Sequence, residues 1–236
     1  NHYIMETSNL SSIYSKTAQR ALFRNVYVWM TMALAITGLV AMYMAKSLTL
    51  LQMILGNSFG MWGLLIAEIG LVWYLSARIR QISFTTATVL FIIYSILNGA
   101  TLSVIFLAYT ASSIASTFFI TAGTFAATGI YGYVTKKDLS SLGSLCIMGV
   151  IGLIIATVVN IFLASDALTM VISYIGVALF VGLTAYDTQK IKRLLLSNDM
   201  EVNEETQKIA LLGALTLYLD FINLFLYLLR ILGDRK

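Results

Sequence analysis

The sequence contains no proline, one cysteine, one histidine and few charged residues. Without proline, kinks and breaks caused by a pyrrolidine ring are excluded, and any bending of a helix must come from glycine. Cys146 has no second cysteine to pair with, which excludes an intramolecular disulfide and the metal sites built from paired cysteines. Since His2 is the only histidine, the chain cannot assemble a three-histidine catalytic zinc site, and the zinc-dependent membrane hydrolases are excluded.

Charge is scarce while apolar residues are abundant. Charged residues make up 11% of the 236 residues and apolar residues 59%, with a mean hydropathy of +0.86. A soluble domain has about one quarter charged residues, so the composition predicts an integral, multi-pass membrane protein whose main partner is the lipid bilayer. A net charge of +4 would favour nucleic acid as the partner of a soluble domain. Here the Lys and Arg residues stand between apolar runs, where they orient a membrane protein, and no nucleic-acid partner is expected.

Apolar windows long enough to cross the bilayer, which takes about 20 residues in a helix, predict seven transmembrane segments and an all-α, seven-helix membrane bundle. The predicted segments are approximately 25–44, 59–77, 84–109, 114–134, 139–163, 168–188 and 210–229. We interpret residues 1–24 as a cytoplasmic N-terminal segment, residues 25–233 as a single transmembrane domain and residues 234–236 as a tail.

The distribution of positive residues predicts a cytoplasmic N-terminus, because cytoplasmic loops are rich in Lys and Arg. With that orientation, 11 of the 15 Lys and Arg residues are cytoplasmic: Lys16, Arg20, Arg24, Arg78, Arg80, Lys136, Lys137, Lys190, Lys192, Arg193 and Lys208. The other four are Lys46, Arg230, Arg235 and Lys236. Three of these four follow the last segment, which therefore either crosses against the rule or re-enters without crossing. We favour crossing.

Asp220 stands in the middle of the last apolar segment. A carboxylate at the centre of a membrane costs about 2.5 to 3.5 kcal/mol on insertion scales, so its position requires a reason. Thr216, Asp220, Asn223 and Tyr227 are four, three and four positions apart, which places them on one face of a helix. This polar stripe is expected to face protein or water. A hydrogen bond between helices that only fixes their packing is the alternative interpretation.

Three further charged residues mark the membrane segments. Glu68 is near the middle of the second segment, and Arg78 follows about 15 Å along the helix axis, too far for a direct pair. Arg78 is either a counter-ion or a side chain that extends to the cytoplasmic headgroups. Asp187 closes the sixth segment and is either solvated near Lys190 or part of a buried site.

The predicted topology brings Arg78 and Asp187 to the cytoplasmic end of the membrane, with Asp220 one to three turns deeper. Asp187 and Asp220 could then meet and share one proton, which would make the pair responsive to pH near neutrality. Loss of that proton would add repulsion and open a gate, or free Asp187 to pair with Arg78 and close one.

Six stretches of the sequence are similar to one protein family. They are NGATLSVIF (98–106), STFFITAGTFAATGIYGY (116–133), KKDLSSLG (136–143), VNIFL (159–163), YIGVALFVGLTAYDTQKIK (174–192) and LYLDFINLFLYLLRILG (217–233). On these stretches the chain resembles the Bax inhibitor-1 family, also called the transmembrane BAX inhibitor motif family, and in particular its bacterial branch. The chain departs from the family in lacking the proline often found in or near GATLSVIF.

The resemblance implies a seven-helix fold with the C-terminal helix in the centre and a pH-sensitive calcium leak in a bacterial inner membrane. In the family, the aspartate of the TAYDTQ-like motif pairs with an aspartate in the last helix. These two residues correspond to Asp187 and Asp220 in this chain. A second-helix glutamate and a nearby arginine correspond by position to Glu68 and Arg78. We hypothesise on this basis that Asp187 and Asp220 form a proton-sharing gate that binds calcium transiently. Arg78 competes for Asp187, and Glu68 and Asp220 line the ion pathway.

Other functions remain open at this point. One is a regulator that conducts no ions and binds membrane protein partners such as a protease or an apoptosis factor. Another is a proton-coupled secondary transporter, which buried acids favour but which the absence of an evident two-half hydropathy repeat weakens. No enzyme activity is expected, because no nucleophile stands with an activating base. Calcium and protons are expected as transported ions, and no cofactor is expected.

Overall fold

A computed structural model describes the backbone of residues 2–56, 58–196 and 203–236, and the side chains from residue 17 onward in these ranges except residues 18, 58 and 59. Within these ranges the chain is helical, with no β-strand. The helices are α1 (His2–Ala45), α2 (Leu48–Leu55), α3 (Ser58–Arg78), α4 (Phe84–Leu102), α5 (Ile105–Ala108), α6 (Ala111–Val134), α7 (Ser140–Leu163), α8 (Asp166–Leu195) and α9 (Glu204–Leu232).

Seven stretches of helix in the described chain are long and apolar enough to cross a membrane. They are Gln19–Ala45, Gly60–Arg78, Phe84–Ala108, Ala111–Val134, Ser140–Leu163, Asp166–Leu195 and Glu204–Leu232. Helix α2 has only 8 residues and is too short to span the hydrocarbon layer. Helices α4 and α5 together form one span. The predicted all-α membrane fold with seven spanning segments is confirmed.

The last helix is the most buried of the seven spans. Protein covers 67% of the residues in its apolar window, compared with 11% to 44% in the other six. A span at the edge of a bundle turns one side to lipid, whereas a span in the middle has protein neighbours all round. The burial of α9 therefore agrees with the prediction of a central C-terminal helix, and it explains how a helix can carry an aspartate at mid-span.

Hydroxyl side chains define where several helices begin. Ser47 precedes α2, Ser83 precedes α4 and Thr110 precedes α6, and each side-chain oxygen accepts a hydrogen bond from the backbone N–H three residues later. The donor–acceptor distances are 3.4, 3.2 and 3.3 Å. The first N–H groups of a helix lack a partner within the helix, so these hydroxyls cap the starts of the three helices.

The chain forms two compact units, Asn1–Ser103 with Ile191–Leu215, and Val104–Lys190 with Thr216–Lys236. In the first unit, the Thr37 hydroxyl on α1 donates to the Ser95 carbonyl oxygen on α4 at 2.9 Å. Gly99 permits this close approach, since a Cβ atom there would lie 2.7 Å from the Thr37 carbonyl oxygen. The Glu204 carboxylate accepts a hydrogen bond from the Phe84 N–H at 2.9 Å and so caps α4.

In the second unit, α6, α7 and α9 pack against α8 or against each other through small residues and aromatic rings. Gly132 of α6 allows contact with the backbone of α8 at Ala185, and the ring of Tyr186 lies over Gly143 of α7. The ring of Phe221 on α9 packs at 5.5 Å from that of Phe125 on α6. These contacts hold the C-terminal half of the chain around the residues that carry the candidate site.

Candidate functional site

Asp187 of α8 and Asp220 of α9 lie together inside the second unit. Their side chains lie within hydrogen-bonding distance of each other, and their exposed fractions are 9% and 5%. A hydrogen bond between two carboxyl groups needs a proton on one of them, because two carboxylates are acceptors only. Sharing of one proton between Asp187 and Asp220 stays a prediction.

Apolar side chains lie one turn from each member of this aspartate pair, Asp187 and Asp220. Leu183 and Leu224, each one turn away, belong to a buried cluster completed by Cys146 and Phe180. Water has little access, so charge on the pair is weakly screened and electrostatic effects between the two acids are strong. Lys190, one turn after Asp187, is a positive charge that acts on it.

One oxygen of the pair lacks a partner. Asp220 Oδ2 is buried and accepts no hydrogen bond from any residue that the structure describes. An unsatisfied buried oxygen of an acid is costly, and such atoms are commonly found where a proton, water or ion is exchanged. Asp220 thus presents a buried oxygen that can accept a proton or contact a cation.

Gln189, two residues after Asp187, is part of the site's support and escaped the sequence reasoning. Its Nε2 donates to the Lys137 carbonyl oxygen at 2.8 Å, and its Oε1 accepts from the Leu139 N–H at 3.0 Å. The side chain is buried, with 4% exposed. Through these two hydrogen bonds, Gln189 connects the loop between α6 and α7 to the C-terminal third of α8, which contains Asp187. The amide in TAYDTQKIK was the only available signal, because backbone partners leave no trace in the sequence.

Replacing Gln189 with Ala should destabilise the protein by about 2 to 4 kcal/mol, since it leaves a carbonyl oxygen and an N–H group without partners. Gln189→Glu can still accept from Leu139 but cannot donate to Lys137, so an intermediate loss is expected. Thermal unfolding of the purified full chain in one detergent measures both variants against the wild type. Equal stability of all three proteins would show that the two hydrogen bonds do not hold this connection.

Glu68 lies in the first unit, buried between α3 and α4 with 7% exposed. The Thr101 hydroxyl donates to Glu68 Oε1, and Asn98 Nδ2 donates to Glu68 Oε2 at 3.3 Å. Asn98 Nδ2 also lies 3.5 Å from the Tyr94 hydroxyl oxygen. Neutral polar groups of α4 therefore satisfy this acid, and its place on an ion pathway stays a prediction.

Arg78 is at the last residue of α3 and is exposed. Its Nη1 donates to the side-chain oxygen of Gln81 at 2.6 Å, within the first unit. This position suits a positive charge that remains in contact with water at the end of a span. The role of Arg78 as a competing partner of Asp187 stays a prediction.

The aspartate pair offers few ligands for a resident metal ion. Among the residues that the structure describes, no three His, Cys, Asp or Glu side chains form a group that could hold a metal. Calcium takes 6 to 8 oxygen ligands. Two carboxyl groups can therefore contact a passing calcium ion but cannot by themselves supply a complete binding shell.

Comparison with known proteins supports the similarity found in the sequence. A family model described as "Inhibitor of apoptosis-promoting Bax1" matches residues 19–236. The "Inner membrane protein YbhL" of Escherichia coli K12 is 48% identical over 226 residues, which are 96% of this chain and 97% of that protein. An uncharacterized protein of Borreliella burgdorferi is 45% identical over 89% of this chain and 90% of its own length. One of Rickettsia prowazekii is 41% identical over 98% and 97%. The resemblance to this family is confirmed.

Proposed function

The chain belongs to the Bax inhibitor-1 family of multi-pass membrane proteins, and from that premise we propose that it is a passive, pH-sensitive calcium leak channel gated by Asp187 and Asp220. The observation that supports this most is the approach of two buried carboxyl groups to hydrogen-bonding distance. The name of the Escherichia coli relative supports a bacterial inner membrane as the location.

In the proposed gate, the proton decides how the two acids are arranged. With one proton, the pair carries a single negative charge and is held by its hydrogen bond. Without the proton, two like charges face each other where water is scarce, and their repulsion favours separation of the side chains. Separated carboxylates expose the hard oxygen ligands that calcium prefers, so the change that moves the gate also prepares a path for the ion.

Glu68 and Arg78 complete the proposal. Glu68 is a further acid on the pathway, and Arg78 competes with Asp220 for Asp187 once the proton has left. A leak that increases as pH rises would identify repulsion within the pair as the opening step. A leak that increases as pH falls would identify capture of Asp187 by Arg78 as the closing step. Replacing Arg78 with Gln abolishes the pH response in the second case and leaves it in the first.

Calcium flux into liposomes tests the proposal. The purified full chain is reconstituted with a calcium dye inside, and the initial rate is measured from about pH 5 to about pH 8, the interval in which a proton-sharing acid pair would titrate. We expect a rate well above that of protein-free liposomes, changing about tenfold across the interval, which corresponds to about 1.4 kcal/mol of difference between the two protonation states.

The same preparation separates the other functions. A regulator that binds protein partners without conducting ions predicts a rate equal to that of protein-free liposomes, and this result would refute the leak. A proton-coupled transporter predicts that calcium entry is accompanied by proton movement in a fixed ratio, which a pH dye inside the liposomes detects. A passive leak predicts calcium movement without such a ratio.

A further inference from the structure

A second feature of the molecule lies away from the aspartate pair, at the turn between α7 and α8. A cavity of about 430 Å³ opens there within the second unit, and the last turns of α9 complete it. Its lining is Thr157, Asn160, Ile161, Ala164, Asp166, Thr169, Ile172 and Arg230. This volume is in the range of sites that bind small molecules, about 300 to 1,000 Å³.

The neutral polar groups of this turn cavity build its wall. Asn160 Nδ2 donates to the Ser165 carbonyl oxygen at 3.2 Å and to the Thr169 hydroxyl at 2.7 Å, while its Oδ1 accepts from the Ser165 N–H at 3.1 Å. Ala164 adopts a left-handed conformation, with φ 47° and ψ 38°, which is unfavourable for a residue with a side chain. The Asn160 bonds hold the turn in this shape.

The two charged groups of the cavity differ from the neutral ones, which form hydrogen bonds within the turn. Asp166 and Arg230 carry opposite charges, both are exposed, and neither forms an ion pair with any residue of the described chain. Arg230 lies over the ring of Tyr227 at 5.5 Å, a contact that orients the guanidinium group but leaves its N–H donors available. A ligand that contacts both groups would carry a positive charge for Asp166 and a negative charge for Arg230.

Apolar side chains beside the cavity indicate where such a ligand comes from. Ile161, Phe162 and Leu163, at the end of α7, have 69%, 85% and 62% of their surface exposed. Side chains of this kind at the end of a membrane span face acyl chains, which places the cavity at the depth of the lipid headgroups. The ligand is thus expected to combine a zwitterionic group with hydrocarbon chains.

We propose that the turn cavity binds the phosphoethanolamine headgroup of a membrane phospholipid, with Arg230 on the phosphate and Asp166 on the ammonium group. A guanidinium group suits a phosphate because its N–H donors match two phosphate oxygens. Asp166 accepts the N–H donors of the primary ammonium group, which phosphatidylglycerol lacks. Binding of this lipid does not depend on calcium conduction or on the aspartate pair.

Lipid retention in native mass spectrometry tests the proposal on the full chain. The protein is equilibrated in detergent with equal amounts of phosphatidylethanolamine and phosphatidylglycerol, and the lipids that stay bound are counted. The wild type should retain phosphatidylethanolamine at least about fivefold over phosphatidylglycerol. Asp166→Asn should remove this preference, and Arg230→Gln should weaken binding of both lipids about tenfold. Arg235→Gln, a nearby charge change outside the cavity lining, should match the wild type.

A soluble competitor and a substitute variant complete the experiment. Soluble glycerophosphoethanolamine has the headgroup without acyl chains and should compete at least about a hundredfold less well than the lipid, because burial of the chains contributes to binding. If Arg230→Gln does not fold, Arg230→Lys takes its place, with weaker retention expected because lysine lacks the fork of donors. Equal retention of both lipids by the wild type would overturn the proposal. So would unchanged retention in the cavity variants, or equal competition by the soluble compound.

Discussion

Replacing Asp220 with Asn should abolish the pH dependence of calcium flux while leaving the protein folded. Asparagine has the shape of aspartate, and its amide can donate to the Asp187 carboxylate at every pH, so no shared proton remains to be lost. The change of about tenfold expected for the wild type between about pH 5 and about pH 8 should fall below about twofold. The measurement is the initial rate of calcium entry into liposomes at each pH.

Two further variants make this prediction specific. Asp187→Asn removes the other acid of the same pair and should flatten the profile as Asp220→Asn does. Glu205→Gln removes an exposed acid from the same helix as Asp220 and should keep the wild-type profile. A pH profile that survives in either aspartate variant would exclude the pair as the pH-sensing element, even if calcium flux itself is present.

Replacing Gly132 with Val should destabilise the protein by about 3 kcal/mol or more, the largest loss of stability expected from one substitution in the second unit. A Cβ atom at this position would overlap the backbone of Ala185, including its carbonyl oxygen. Backbone atoms cannot move aside as the end of a flexible side chain does, so α6 and α8 would have to separate. Ala185 is two residues before Asp187, and the aspartate pair would shift with it.

Gly123 provides the matched control on the same helix. A Cβ atom at Gly123 would meet no atom within 4 Å, so Gly123→Val should have little effect on stability. The free energy of unfolding of both variants, measured by titration with a denaturing detergent, compares a close helix contact with an open position. If Gly132→Val and Gly123→Val lose equal stability, the helix contact at Gly132 is not what holds the unit together.

The sequence was sufficient to predict the membrane fold but not the ends of every helix. Hydropathy detects how deep a residue lies in the bilayer, and a helix can continue into water without any hydropathy signal. Helix α1 therefore begins at His2, although the predicted span begins near residue 25. The division between α4 and α5 had no proline to reveal it. It occurs at Ser103, whose hydroxyl donates to the Ala100 carbonyl oxygen at 2.6 Å, and a serine is too common to mark a break.

For the candidate site, the sequence indicated single residues more readily than their partners. An aspartate in the apolar run around Asp220 was conspicuous because such a position is costly. That Asp187 reaches it depends on how α8 and α9 are placed side by side, which packing against small residues and rings decides. The turn cavity was invisible in the sequence for the same reason. Asp166 and Arg230 are charges at the ends of two helices, and only the fold brings them to one cavity.

Infrared spectroscopy of the carboxyl groups tests the central claim most directly, because a protonated carboxyl group has a carbonyl band that a carboxylate lacks. The difference spectrum between the wild type and Asp187→Asn/Asp220→Asn should contain one such band at about pH 5 and lose it by about pH 8. A spectrum without this band throughout the interval, or with a band that never changes, would mean that the two acids do not exchange a shared proton and cannot act as the gate.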